Sequence, residues 1–278
     1  MPHRKKIQIA EIEQRLIVDA IYYRYHYDFR GYAKSSISRS LQAALNHFNC
    51  NTISQLQDRI LHHPNDFAEL LSYLTIQVSE MFRDPEYFLV LRNKVVPLLR
   101  TYPFLKIWVA GCSSGEEVYS LAILLQEEDL LDRSIIYATD INPQALKVAE
   151  QGVYNIDRAD SFSKNYLISG GKKSLSDYYI SRYGKISFDK SLRKNIVFAD
   201  HSLATDSVFA ESQFISCRNV LIYFDSVLQE RVVQLFSESL CYRGFLGLGA
   251  RESIRFTEQY NNFEEFSSKE KIYRKKVP

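Results

Sequence analysis

Apolar residues recur at helical spacing through the first seventy-odd positions. In EIEQRLIVDAIYYRY, residues 11–25, Ile12, Leu16, Ile17, Ile21 and Tyr22 lie three or four apart. Residues 36–48, 53–60 and 66–74 follow the same period, with no strand pattern among them. A small helical domain is therefore expected over residues 1–75. After Pro103 the pattern changes. LKIWVAG, SIIYATDI, NIVFAD, QFISC and GFLGLG are short apolar runs suited to buried strands. Between them, GEEVYSLAILLQEEDLL and NPQALKVAEQGVY have helical periodicity. Asn142 is placed to cap the second of these helices, with Pro143 in its first turn. Asp225 is placed to cap another, whose Leu228, Val232, Leu235, Phe236 and Leu240 share a face. Strands alternating with helices predict an α/β architecture with a doubly wound parallel sheet over residues 76–278. KIYRKKV near the end is expected as an antiparallel edge strand. YYISRYGKISF predicts a small antiparallel insertion over about 166–196.

Composition narrows the class. The chain has 278 residues, 46% of them apolar, and only 10 glycines and 7 prolines, which excludes disordered and low-complexity polymers. The 35 basic and 33 acidic side chains leave a net charge of +2, so no nucleic-acid partner is expected. Residues 164–194 are the most basic stretch, with eight Lys or Arg against Asp177 and Asp189. Cys50, Cys112, Cys217 and Cys241 are far apart and form no C-x-x-C pair, which fits a reducing, cytoplasmic setting. His62 and His63 beside Pro64 show no ligand spacing, and no metal is expected. No apolar run reaches the roughly 20 residues of a membrane span. The basic start is interrupted by Glu11 and Glu13, so a signal peptide is not expected either.

Two constellations suggest a ligand. AGCSSGEE, residues 110–117, follows a strand and opens a helix, where Gly111 and Gly115 allow close backbone approach. It is neither G-x-G-x-x-G nor a P-loop. Glu116 and Glu117 at the helix start disfavour a pyrophosphate and favour a cationic ligand. Asp140, ending the next strand in ATDIN, is placed to accept hydrogen bonds from ribose hydroxyls, or else to cap the following helix. A glycine loop, adjacent acids and a ribose-binding acid suit S-adenosylmethionine.

With these motifs go CRNVLIYFD at 217–225, TIQVSEMFRDPEYF at 75–88 and a strand followed by LGARES. In this order they resemble the CheR family of S-adenosylmethionine-dependent chemotaxis protein-glutamate O-methyltransferases, over nearly the whole chain. The resemblance implies a Rossmann-like methyltransferase sheet, an N-terminal helical domain and an inserted β-subdomain. It implies transfer of a methyl group from S-adenosylmethionine to glutamate side chains of a chemoreceptor, leaving S-adenosylhomocysteine. The implied partner is the glutamate-rich cytoplasmic helices of that receptor, approached by a monomer without membrane insertion. Arg83, Glu117, Asp140, Ser202, Leu203, Arg218 and Asn219 match cofactor-contacting positions, and Arg83 and Tyr223 match residues beside the transferred methyl group. Gln77, Ser79 and Met81 stand where the family usually has Asn, Thr and Phe, so Gln77 and Ser79 are cofactor-contacting positions with altered side chains. His201 adjoins the cofactor segment. The basic 164–194 stretch corresponds to the β-subdomain. The helix carrying Lys34, Arg39 and His47 falls where the family has a more basic receptor-reading helix. An S-adenosylmethionine-binding regulator, or a methyltransferase of the same fold acting on a different protein, is the alternative expectation.

Overall fold

A computed structural model describes residues 8–208 and 210–278; the basic stretch at the very start lies outside them. The chain clusters into two compact units. One comprises the described residues up to Gln77 together with Tyr223–Gln229, and the other comprises Val78–Ile222 and Glu230–Pro278.

The first unit is helical, with α1 (Ile9–Tyr25), α2 (Lys34–Phe48), α3 (Ile53–His62) and α4 (Pro64–Leu74). Its core gathers Ile17, Ile21, Leu41, Ala44, Leu56, Ile60 and Leu70, and the Tyr25 ring stacks on Phe67 at 3.8 Å. The inward stripe of α1 is Ile17, Val18 and Ile21. Ile12 and Leu16, which the sequence places in the same periodic set, are 45% and 50% exposed. The four-residue period fits more than one stripe, and packing selects between them. Thr52 caps α3 by accepting from Gln55 N–H. The returning segment is tied in by two backbone bonds, Ala33 N–H to Tyr223 O and Asp225 N–H to Gly31 O. Asp225 caps its helix as expected, accepting from Leu228 N–H at 2.9 Å.

The second unit begins with α5 (Pro85–Val90), a π turn over Leu91–Val95 and α6 (Val96–Leu99). A period-3.6 pattern interrupted by Pro97 hides this stretch from sequence reading. β1 (Leu105–Ala110) leads to α7 (Glu116–Glu127), and β2 (Ser134–Asp140) leads to α8 (Pro143–Gln151). The insertion follows as β3 (Val153–Asn155), α9 (Ala159–Ile168), β4 (Tyr179–Arg182), β5 (Lys185–Phe188) and α10 (Lys190–Arg193). The unit closes with β6 (Ile196–Asp200), β7 (Ser212–Cys217), α11 (Ser226–Ser239), β8 (Leu240–Leu248), β9 (Phe263–Ser267) and β10 (Ile272–Lys275); the first turn of α11 clusters with the helical unit.

The main sheet has the order β6-β2-β1-β7-β8-β10-β9. From β6 to β8 the neighbours are parallel, as the alternating pattern predicts, while β10 and β9 run antiparallel. The C-terminal strand is antiparallel as expected but not at the edge: β9, from the short acidic FEEFS, takes that place. The insertion forms a separate antiparallel sheet, β3-β5-β4. It recruits β3 from before the expected 166–196 segment, because a three-residue strand directly after a helix leaves no period-2 signal. Neighbours on either side of β1 come from β2 and β7, so chain order switches direction there. In an open α/β sheet that places a ligand site beyond the carboxyl ends of β1, β2 and β7. Among the described residues no helix is long and apolar enough to cross a membrane.

Candidate cofactor and methyl-transfer site

The loop from β1 to α7 turns sharply. Gly111 and Gly115 have φ of +74° and +93°, and a Cβ would lie 2.5 Å from Val220 and 2.8 Å from Ala149 respectively. No other residue type fits either place without displacement. Gly111 and Cys112 N–H both donate to Thr139 O at 2.8 Å, which ties the loop to the end of β2. Cys112 and Cys217, at two strand ends, are buried, and burial pushes both thiols well above their ordinary pKa. They pack rather than react.

Asp140 sits at the end of β2, 7% exposed. Its oxygens accept from Ser113 N–H (2.8 Å) and Asn142 N–H (2.9 Å). Burial nevertheless raises its pKa above the ordinary aspartate value, against those backbone hydrogen bonds and with a smaller push from Asp200. Helix capping falls to Asn142, as expected, whose Oδ1 accepts from Gln144 and Ala145 N–H. Asp140 is left to orient two loops and keep acceptor capacity at the strand end.

The paired acids opening α7 are each neutralised by an arginine. Glu116 is fully buried; it accepts from Ser114 Oγ at 2.6 Å and is ion-paired to Arg158. Glu117 accepts from Ser216 Oγ at 2.6 Å and from Arg218 Nη1 at 2.9 Å. Their charge is thus matched within the protein, and Glu117 keeps spare lone pairs for a ligand. Arg218, 1% exposed at its side chain, donates through Nη2 to Arg83 O at 2.9 Å and to Asp84 Oδ2 at 2.7 Å, and lies over the Tyr87 ring. Arg218, matched in the sequence to a cofactor-contacting position, is an internal tie among these partners.

That tie holds a short strap, residues 78–84. Phe82 and Asp84 both have positive φ, 48° and 55°, so Arg83 is carried on a backbone kink between two left-handed residues. Phe82 N–H donates to Ser120 Oγ on α7 at 2.8 Å. Arg83 Nη1 donates to Val78 O at 3.3 Å, and among the described residues it has no carboxylate partner: the nearby Asp84 is taken by Arg218. Ser79 lies in the same strap, its carbonyl held by Arg158.

Beyond β6, Ser202 N–H donates to Asp206 Oδ2 at 2.8 Å, and Leu203 is buried. His201 N–H donates to Asp140 O at 3.3 Å, and its ring meets Trp108 edge-on. Beyond β7, Asn219 has φ of +62°. Its N–H donates to Glu252 Oε2 at 2.8 Å. Glu252, buried, also accepts from Gly249 and Ile222 N–H, so it binds together the loops after β7 and β8. Burial raises its pKa, opposed by those backbone donors. Glu252 lies in the LGARES segment but carries no sequence signal for this anchoring role. Arg158 carries none at all.

Glu117, Asp140, Ser202, Leu203, Arg218, Asn219, Ser79 and Arg83 thus all belong to the second unit. Gln77 and Tyr223 belong to the first, where the Gln77 amide donates to Thr75 O and Oγ1 and the Tyr223 carbonyl accepts from Ala33. Ser202 Oγ and Asn219 Oδ1 are buried with no hydrogen-bond partner among the described residues. Such atoms are costly unless a ligand or water satisfies them, and at the ends of β6 and β7 they suit a polar, nucleoside-bearing cofactor. With Asp140 on the next strand and glycine turns opening the backbone, these residues fit S-adenosylmethionine.

Fold and site define an S-adenosylmethionine-dependent methyltransferase. Residues 77–272 match the family described as "CheR methyltransferase, SAM binding domain", and residues 12–75 match "CheR methyltransferase, all-alpha domain". The chain belongs to the CheR methyltransferase family. It is 56% identical over 266 residues, 96% of its length and 97% of the relative's, to the putative methyltransferase Cher3 of Pseudomonas putida. It is 35% identical over 202 residues to a chemotaxis protein methyltransferase of Listeria innocua, covering 70% of this chain and 74% of that one. An uncharacterised 104.1 kDa protein of Rhodobacter capsulatus is 27% identical over 256 residues, which span 88% of this chain and 26% of that longer protein.

Proposed function

We propose that this methyltransferase acts in chemotaxis, esterifying glutamate side-chain carboxylates of a chemoreceptor. The observation that carries this reading is the charge balance of the site. Both acids opening α7 are matched by arginines, while Arg83 on its kinked strap has no carboxylate partner among the described residues. Such a site does not repel an incoming carboxylate and offers it a cation. A cationic acceptor such as a lysine amine would call for the opposite arrangement. Residues of the second unit alone support this; Gln77 and Tyr223 lie in the first.

When bound, S-adenosylmethionine supplies an electrophilic methyl group on a positively charged sulfur. A glutamate carboxylate, with a reference pKa of about 4.3, is already ionised near neutral pH, so the protein needs no general base. Its residues instead align the acceptor and exclude water. Arg83 orients the carboxylate through a contact that must stay modest, because the carboxylate loses charge as it attacks and a tight ion pair would stabilise the ground state more than the transition state. Asp140 holds the ribose hydroxyls, and Ser202 Oγ and Asn219 Oδ1 find their partners on the same ligand. The exposed basic side chains of the insertion, Lys173, Arg182 and Lys185 among them, favour encounter with glutamate-rich helices in a salt-dependent way. Lys172 and Arg193 contribute less, being engaged with Glu128 and with the Glu150 and Gln151 carbonyls.

Incubation of the purified protein with radiolabelled methyl donor and chemoreceptor-bearing membranes tests this directly. Label on membrane protein that mild alkali releases as methanol is the expected result. Alkali-stable label would move the acceptor to another group. Cofactor binding by calorimetry without any label would favour a binding regulator.

Cofactor affinity should also depend on pH through Asp140. Its raised pKa brings protonation to a higher pH than for an exposed aspartate, and protonation removes acceptor capacity for the ribose. Affinity is therefore full above the raised pKa and falls as the pH drops through it. The linkage for folding has the opposite sign. A raised folded pKa contributes stability below the unfolded value, and that contribution is lost as pH rises through the folded one. Titration calorimetry at several pH values checks the first point. Asp140→Asn should bind about 10- to 100-fold more weakly at neutral pH and lose this pH dependence, given one to three kcal/mol for a buried polar group left poorly paired. An unchanged pH profile in Asp140→Asn would assign the effect elsewhere.

A further inference from the structure

The strap that presents Arg83 is held from two sides, and the two sides share one design. On one side, Glu117 pairs with Arg218, and the same guanidinium donates to the carbonyl of Arg83. On the other, Glu116 pairs with Arg158, and that guanidinium donates to the carbonyl of Ser79. Adjacent acids at the start of α7 each recruit an arginine, and each arginine grips one end of the strap. The second clamp comes from the insertion: Arg158 immediately precedes α9 and lies over the Phe162 ring, 4.7 Å from its centroid. The same helix sends Asn165 Nδ2 to Met81 O at 3.1 Å, and Tyr154 on β3 donates to Ser114 O at 2.7 Å in the glycine loop.

We propose that Arg158 is a positioning residue for methyl transfer. It fixes the Ser79 end of the strap to the buried Glu116 carboxylate and so sets the pose of Arg83. Guanidinium geometry is suited to the task, since one planar fork serves a carboxylate and a carbonyl at once. A lysine keeps the charge beside Glu116 but offers a single nitrogen on a flexible stem, so it holds one acceptor well and not both. The insertion thereby takes part in building the site and is more than a receptor-facing appendage. This inference rests on the role given above to Arg83, and the test separates the two.

Arg158→Lys is the first variant, and Asn165→Leu, which removes the separate donor to Met81 O, is the second should the first fold poorly. Hydrogen exchange on the peptide spanning residues 79–87 reads the strap itself, without reference to activity. Exchange there should quicken about tenfold in either variant, with the strands of the main sheet unchanged. Exchange equal to wild type in Arg158→Lys, or in Asn165→Leu where Arg158→Lys does not fold, would overturn the clamp. Turnover then reads the route to chemistry. Arg158→Lys should lower kcat about tenfold while KM and cofactor affinity change less than about threefold, and the loss should vanish in an Arg83→Ala background. Losses that add in full in the double variant would overturn a route through Arg83. If Arg83→Ala alone leaves turnover intact, the role of Arg83 fails; the exchange result then decides the clamp by itself.

Discussion

Arg83→Ala is expected to lower kcat by about 10²-fold or more while leaving the affinity for S-adenosylmethionine within about threefold. Mispositioning a reactant by about an ångström can cost that factor, and the guanidinium is the one cation the strap offers an incoming carboxylate. Its backbone is secured independently, through the Arg218 bond to the Arg83 carbonyl and the Phe82 bond to Ser120, so truncating the side chain leaves the strap in place. The fold and the proposed cofactor contacts of Asp140, Ser202 and Asn219 should survive. Single-turnover labelling and calorimetry on the same preparation check both halves. A variant that binds cofactor normally and methylates at the wild-type rate would remove Arg83 from the chemistry. One that loses cofactor affinity in proportion to turnover would make it a cofactor ligand instead.

The largest loss of stability should follow Arg218→Met. Its side chain is 1% exposed, and it satisfies Glu117 Oε2, Asp84 Oδ2 and the Arg83 carbonyl together while lying over Tyr87. Removing one partner of a buried pair leaves the other charge uncompensated, which typically costs about 3–5 kcal/mol. Asp84 is 40% exposed and can rehydrate, which keeps the expected cost near the lower end of that range. Thermal melting should therefore shift down by about 6–12 °C, at roughly 2–4 °C per kcal/mol for a protein of this size. Cofactor binding should weaken as well, because Glu117 and the strap lose their common anchor. Arg218→Lys should fall between the two, keeping charge without the fork. A melting temperature within about 2 °C of wild type for Arg218→Met would show that Glu117 and Asp84 find other partners.

The site was legible in the sequence where local chemistry announces itself. The turn between β1 and α7 needs two glycines with positive φ, and Gly111 and Gly115 stand in a run that already reads as strand, turn and helix. Asp140 follows from an acid ending the next strand, and Asn142 from an amide before Pro143. In all three cases the relevant partners lie within a few residues or at a strand end, so spacing is enough. The partners of the charges at α7 were hidden for the opposite reason. From the sequence, Glu116 and Glu117 are a pair of acids awaiting a cationic ligand. In the folded chain they are neutralised by arginines 42 and 101 residues downstream.

The same distinction holds for the fold. Helical periodicity, alternating strand and helix, turn glycines and cap residues are properties of neighbours along the chain. The amino-acid order by itself therefore determined the four N-terminal helices, the parallel strands and the family motifs. Which stripe of α1 faces inward, β9 rather than β10 at the sheet edge and β3 in the insertion sheet depended on surfaces that meet only after collapse. So did the double clamp on the Arg83 strap, because an ion pair between distant residues leaves no periodic trace. Each pair exists only where the fold brings the partners together, and the attraction is strengthened where it buries them, as at Glu116 and Arg218.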